Sequence, residues 1–343
     1  LVKPSFLSRL ACFASFFALG VIALGAFTRL IDAGLGCPDW PGCYGHLTAP
    51  LSAAANPVLA LEYPGSHIVL YKAWAEMVHR YFVGGLSLFI LGIVATIFSQ
   101  KIFRKRNNIL LALCLVFLLV YQIILGQLTV TLKLLPLIVS QHLLGGFLIL
   151  STLWLIHLQN NTALKDRLTP LKVGVLLPLS IIGLVLVLTQ IALGAWTSTN
   201  YASLSCPDFP FCMNDQSIVW HFKAAFQLLQ PIGVNYDGGV LPETIRQTIQ
   251  MTHRLGALVV TAYLVIFSLF GMPRLKKSLE LMKSFYVVLG LLCLQLCIGM
   301  TNVMFKLPLI TAVSHNLVAV LLLLAMATLI FKLAITQCKA RAV

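Results

Sequence analysis

Apolar residues gather along the chain into eight long runs, at 9–30, 77–99, 109–131, 136–157, 173–196, 250–271, 284–304 and 309–333. Each run is about 20 residues or more, the length an α-helix needs to cross the roughly 30 Å hydrocarbon layer of a bilayer. The pattern predicts an all-α integral membrane protein with eight transmembrane helices. Lys3 and Arg9 before the first run imitate a secretory signal. The likeness of that run to the fifth argues that it is retained.

The polar positions between the runs repeat. Run 1 ends in Leu24-Gly25-Ala26-Phe27-Thr28 and run 5 in Leu193-Gly194-Ala195-Trp196-Thr197, an offset of 169. The long segments that follow, 31–75 and 198–248, carry Cys37-Pro38-Asp39-Trp40-Pro41-Gly42-Cys43 and Cys206-Pro207-Asp208-Phe209-Pro210-Phe211-Cys212, again offset by 169. Runs 2 and 6 open with Glu76-Met77-Val78-His79-Arg80 and Gln250-Met251-Thr252-His253-Arg254, offset by 174. Runs 3 and 7 end in Gln122-Ile123-Ile124-Leu125-Gly126 and Gln295-Leu296-Cys297-Ile298-Gly299, and runs 4 and 8 carry His142 and His315, offset by 173. Near-constant offsets imply an internal duplication. The expected organisation is an N-terminal four-helix half, 1–160, and a C-terminal four-helix half, 161–343. An even number of spans per half makes the repeats parallel, so the two bundles should be related by a pseudo-twofold axis along the bilayer normal.

Composition agrees with the pattern. Mean hydropathy is +0.94, 59% of residues are hydrophobic and 10% are charged, which excludes an ordinary soluble domain. The net charge of +14 would suggest nucleic acid in a soluble protein, but here its placement assigns it to the lipid bilayer, with no nucleic-acid partner. Sixteen of the 24 basic residues, against only Asp166 and Glu280, fall on one side of the eight-span arrangement. The positive-inside rule then puts both termini in the cytoplasm and the cysteine-bearing loops outside, in what would be a bacterial plasma (inner) membrane.

Ionisable groups inside spans are costly and point to function. Taken singly, Glu76 suits the headgroup boundary and His79 a packed core position. The second copy changes that balance. His79 and His142 lie several residues into inward-running helices and should share one depth, as should His253 and His315. Two imidazoles at matched depth on facing helices of a four-helix unit suit axial ligation of a haem iron. Zinc fits less well, because no third and fourth ligand recurs at that depth. His46, His67, His157 and His221 have no partner in the other half and read as loop or interface residues. Arg80 and Arg254 follow the histidines directly and have two roles open to them: bonding to loop or backbone groups, or pairing with a haem propionate. Cys37 and Cys43, and Cys206 and Cys212, lie in outward loops where thiols oxidise; a structural disulfide in each is the plainer reading beside a redox-active pair. Cys12, Cys114, Cys293, Cys297 and Cys338 read as apolar fillers.

With Glu-X-X-His-Arg in run 2, single histidines in runs 4, 6 and 8 and an outward cysteine pair, the chain resembles the haem A synthase family, the CtaA and COX15 proteins, over nearly its whole length. The resemblance implies an oxidoreductase acting on a CH group, converting the C8 methyl of haem O to a formyl group and giving haem A for terminal oxidases. It implies that His79 and His142 face the substrate haem and that His253 and His315 ligate a resident haem b in the C-terminal half. Glu76 would be the catalytic carboxylate. The residues support that asymmetry on their own, since Gln250 replaces Glu76 and leaves only the first half with a group able to act as base. The partners it implies are haem O and haem A, with haem O synthase and terminal oxidase assembly factors as protein partners. A bis-haem b electron-transfer protein linked to quinone would use the same four histidines without needing Glu76. A thiol oxidase would instead use the cysteine pairs, and a haem transporter a single labile site.

Overall fold

The computed structural model describes residues 5–52, 61–63, 68–213 and 218–342; Lys3 and His67 lie outside them. Eight helices are long and apolar enough to cross a membrane. They are α1 Phe6–Leu30, α2 Leu70–Ser99, α3 Arg106–Thr131, α4 Pro136–Gln159, α5 Leu176–Thr199, α6 Glu243–Leu275, α7 Leu279–Met304 and α8 Leu309–Arg341. Short helices at Thr162–Arg167 and Phe222–Ala225 lie in the connections. Outside helices, the described residues hold turns, loops and an isolated bridge between Cys43 and His46. The protein is an all-α integral membrane protein, as its hydropathy predicts.

Helix ends follow local chemistry. The Ser5 hydroxyl accepts from the Ser8 N–H and caps α1. Proline stands at the first turn of α4 and just before α6 and α8, where its missing N–H costs nothing. After α1 and α5 the chain turns through left-handed Asp32 (φ 51°) and Tyr201 (φ 53°); between α3 and α4, and α7 and α8, it turns through Lys133-Leu134 and Lys306-Leu307, all with positive φ. Such angles are uncommon away from glycine, and they recur here at the offsets of the repeat. α2 and α6 begin at Leu70 and Glu243, well ahead of the apolar runs, and α8 continues to Arg341.

Within each half the four helices close a ring in which every helix packs on its neighbours, α1–α2–α3–α4 and α5–α6–α7–α8. The rings meet through α4 on α5 and through α8 on α1 and α4. α8 is the most enclosed, with 56% of its apolar window buried against 17–39% for the others. Lipid tails are as apolar as leucine, so this packing relies on small residues and polar bonds. A Cβ on Gly183 would meet Met326 at 2.9 Å. Across the junction Trp154 Nε1 donates to Thr328 Oγ1 at 2.9 Å, Ser140 and Thr199 share a bond of 3.1 Å, and Arg29 Nη2 donates to the Ser198 carbonyl at 2.6 Å. His157 bonds Ser8 and ties α4 to α1, an interface role as its sequence context suggests.

Candidate functional site

The up-and-down succession places the starts of α2, α4, α6 and α8 at one face, that of the long loops. His79 is the tenth residue of α2 and His142 the seventh of α4; His253 is the eleventh of α6 and His315 the seventh of α8. His79 lies within electrostatic reach of His142, and His253 of His315. The structure therefore brings together both histidine pairs expected from the sequence.

Each imidazole leans its Cε1 edge on a glycine of a neighbouring helix. A Cβ built on Gly25 would lie 2.9 Å from His79, on Gly194 3.1 Å from His253, on Gly299 3.1 Å from His315 and on Gly126 3.5 Å from His142. These glycines belong to the Leu-Gly and Ile-Gly pairs that mark the repeat. Their chemical use is to let a ring approach the backbone where any side chain would displace it.

Glutamines complete the layer. Gln190 Nε2 lies 3.0 Å from His253 Nδ1, and Gln295 Nε2 3.1 Å from His315 Nε2. Sequence reasoning passed over them as ligand partners, although a buried amide inside a span is a signal in itself. The Nδ1 atoms of His79, His142 and His315, Gln122 Nε2, and the Oε1 atoms of Gln190 and Gln295 are buried without partners.

Above this layer each cysteine loop is clasped to its helix. Cys37–Cys43 and Cys206–Cys212 are disulfides, and Trp40-Pro41 and Phe209-Pro210 are both cis. The Cys37 N–H donates to Glu76 Oε2 at 2.9 Å, and the Cys206 N–H to Gln250 Oε1 at the same distance. Arg80 Nη1 donates to the carbonyls of Asp39 (3.0 Å), Pro41 (3.1 Å) and Gly42. Arg254 Nη1 does likewise to Asp208 (2.7 Å) and Phe211 (2.9 Å). Of the two roles open to these arginines, the loop contact is made. Arg254 Nε stays buried and unpartnered, a donor available to an anion.

The halves part at the remaining acceptor atom. Glu76 Oε1 pairs with Arg80 Nη2 at 2.5 Å. In the other half Gln250 Nε2 donates to the Ser203 carbonyl at 2.6 Å and Arg254 Nη2 turns to the Cys206 carbonyl at 2.7 Å. Both oxygens of Glu76 are engaged at the loop clasp.

The residues present fit a haem group. Each half offers two imidazoles at one level, cradled by glycine, with buried ring nitrogens lacking partners. Among the described residues there is no cluster of three or more His, Cys, Asp or Glu placed to hold a bare metal ion.

These features define a polytopic helical membrane protein with a duplicated histidine pair under a clasped disulfide loop. Residues 8–327 match the COX15-CtaA family, described as cytochrome oxidase assembly protein, and the chain belongs to it. It is 40% identical to a protein of Shewanella oneidensis named Heme A synthase, over 91% of this chain and 92% of that one. Proteins of the same name from Bacillus pumilus and Rickettsia canadensis are 25% and 26% identical, over 90% and 94% of this chain and 89% and 96% of theirs.

Proposed function

We propose that this protein is a haem A synthase, an oxidoreductase that converts the C8 methyl of haem O to a formyl group. Family membership and the names of the relatives support the haem A pathway. The observation that carries the assignment of the reaction to one half is the replacement of Glu76 by Gln250 in two otherwise matched sites.

In this reading His79 and His142 hold the substrate haem O in residues 1–160. His253 and His315 hold a resident haem b in residues 161–343, with Gln190 and Gln295 orienting the rings as outer partners of metal-bound histidine do. When bound, that haem supplies one-electron redox chemistry. Arg254 Nε has a hydrogen to offer a propionate. Glu76, one turn before His79, is the carboxylate that would stabilise the positive charge developing at the methyl as an external oxidant removes its electrons, and would take up the proton released. Its pairing with Arg80 keeps it in place. Arg80 also fixes the loop that closes over the substrate end.

The protein sits in a bacterial plasma membrane with both termini cytoplasmic and the cysteine loops outside, a placement supported by the basic residues at the other face. Its partners are haem O and haem A, and by the chemistry supplied and consumed, a haem O synthase and terminal oxidase assembly factors. Labelling of single cysteines placed in 100–108 and in the loops of intact cells tests the orientation; the reverse pattern would overturn it.

The function is tested by expression in a host that makes haem O and lacks haem A synthase, followed by chromatography of extracted pigments. Haem A should appear; haem O alone, with the protein present and its haem b bound, would overturn the proposal. One observation favours a second reading, the bis-haem electron-transfer protein linked to quinone. The bond from Glu76 to Cys37 is reproduced by Gln250 to Cys206, which is what a purely structural carboxylate would do. That reading expects quinol-dependent haem reduction with no change in the pigment.

A further inference from the structure

The face opposite the histidines also differs between the halves. At the basic ends of the spans, Lys332 of α8 is only 8% exposed, and its Nζ pairs with Glu280 Oε2 of α7 at 3.1 Å. Lys283 Nζ lies 3.8 Å from the other oxygen of Glu280, with its side chain 59% exposed. Arg167 is within electrostatic reach of the same carboxylate. One carboxylate thus faces three cations, and the cluster has a positive excess.

Glu280, Lys283 and Lys332 line one end of a cleft of about 430 Å³ between α1, α4, α7 and α8. Most of the remaining wall is apolar, including Phe16 and Leu19 of α1, Leu150 and Trp154 of α4 and Val287 and Leu291 of α7. The corresponding cleft of the other half, about 270 Å³ between α3, α4 and α8, has Asn107, Leu110 and Gln159. By the repeat offset of 173 those positions match Glu280, Lys283 and Lys332. One cleft has charged side chains in its lining; its counterpart is lined by neutral ones, with Lys165 at its edge bonded to the Gln159 carbonyl.

A buried lysine in a span is expensive. Glu280 offsets Lys332, but neither interaction accounts for the remaining positive charge beside an apolar trough. We propose that this cleft binds an anionic phospholipid, with one hydrocarbon tail along the trough and the phosphate on Lys283 and Lys332. Basic pockets between membrane helices hold anionic headgroups for the same reason, since phosphate satisfies cations that the bilayer cannot. The wall explains the tail, and the charge excess explains the head. A neutral lipid would leave the cations unmet, and a free phosphate would leave the trough without a ligand.

Trp154 makes the site readable. The full-length protein is placed in phosphatidylcholine vesicles doped equally with brominated-chain phosphatidylglycerol or brominated-chain phosphatidylcholine. The Trp154 signal is taken as the difference from Trp154→Phe. Brominated phosphatidylglycerol should quench that signal several-fold more strongly, and excess inorganic phosphate should not relieve it. The triple change Glu280→Asn, Lys283→Leu, Lys332→Gln copies the neutral lining of the other cleft and should abolish the preference. Lys283→Leu alone, on a mostly exposed side chain, leaves the buried pair intact and should lower the preference by about half. Equal quenching by the two lipids, an undiminished preference in Lys283→Leu, or relief by phosphate would each overturn the proposal.

Discussion

The two halves share a scaffold down to single hydrogen bonds and differ in what surrounds their histidines. In the C-terminal half both imidazoles have a glutamine partner, Gln190 for His253 and Gln295 for His315. In the N-terminal half His79 bonds instead to the backbone of Val21, the position that matches Gln190, and Gln122, which matches Gln295, leaves its Nε2 without a partner. An amide held against each ring suits a ligand that stays. The loop clasp, by contrast, shares its cysteine N–H bond and its arginine Nη1 bonds to carbonyls, and parts only where Glu76 pairs with Arg80. The difference separates what the fold requires of Glu76, one hydrogen-bond acceptor, from what it carries in addition, a negative charge.

The comparison breaks most completely at the histidines. His253→Ala or His315→Ala should abolish the low-spin b-type haem spectrum of purified protein, while His79→Ala and His142→Ala should retain it and lose haem A production. Full spectra in both C-terminal variants would sink the assignment of the resident site.

Next in size is Glu76→Gln. Because Gln250 makes the matching bond to its loop, this variant should fold and keep its haem b, yet make haem A on the order of 100-fold more slowly. Pigment analysis showing near-normal haem A would bring the electron-transfer reading forward. The reciprocal Gln250→Glu should leave haem A output unchanged.

Glycine replacements grade the cradle. Gly25→Ala, whose Cβ would sit 2.9 Å from His79, should lower haem O binding several-fold, whereas Gly126→Ala, at 3.5 Å from His142, should be nearly silent. Gly194→Ala and Gly299→Ala, both at 3.1 Å, should fall between, read as loss of haem b. Equal effects at all four would mean that ring approach is not what the glycines serve.

The smallest expected difference concerns the disulfides. Each closes a loop of sequence separation 6, worth about 2 kcal/mol by loop-closure entropy. Cys37→Ser/Cys43→Ser and Cys206→Ser/Cys212→Ser should lower unfolding midpoints to the same degree. A large inequality would show that one loop does more than brace its helix.

Hydropathy made the eight spans legible, and the duplicated His-Arg pairs made the histidine layer legible. The starts of α2 and α6 were hidden, because Leu70–Ala75 and Glu243–Ile249 continue the helix beyond the apolar stretch into loop-packed turns that no lipid-length window detects. The bonds from Cys37 to Glu76 and from Cys206 to Gln250 join residues 39 and 44 apart. Only folding brings such pairs together. The glycines were visible as landmarks of the repeat, but their partners stand on other helices, and sequence spacing carries no record of contacts across a bundle.

Arg80 and Arg254 grip their loops almost entirely through main-chain carbonyls. A carbonyl is the same acceptor whichever residue bears it, so these arginine bonds do not themselves select the side chains they pass, while Asp39 is held by its own bonds from the Tyr44 and Gly45 N–H groups. The protein already exercises that freedom: Trp40 corresponds to Phe209 and Gly42 to Phe211, with the clasp preserved around both. The outer surface of each loop is therefore free to diverge for recognition by other molecules, while the residues beneath it keep their positions.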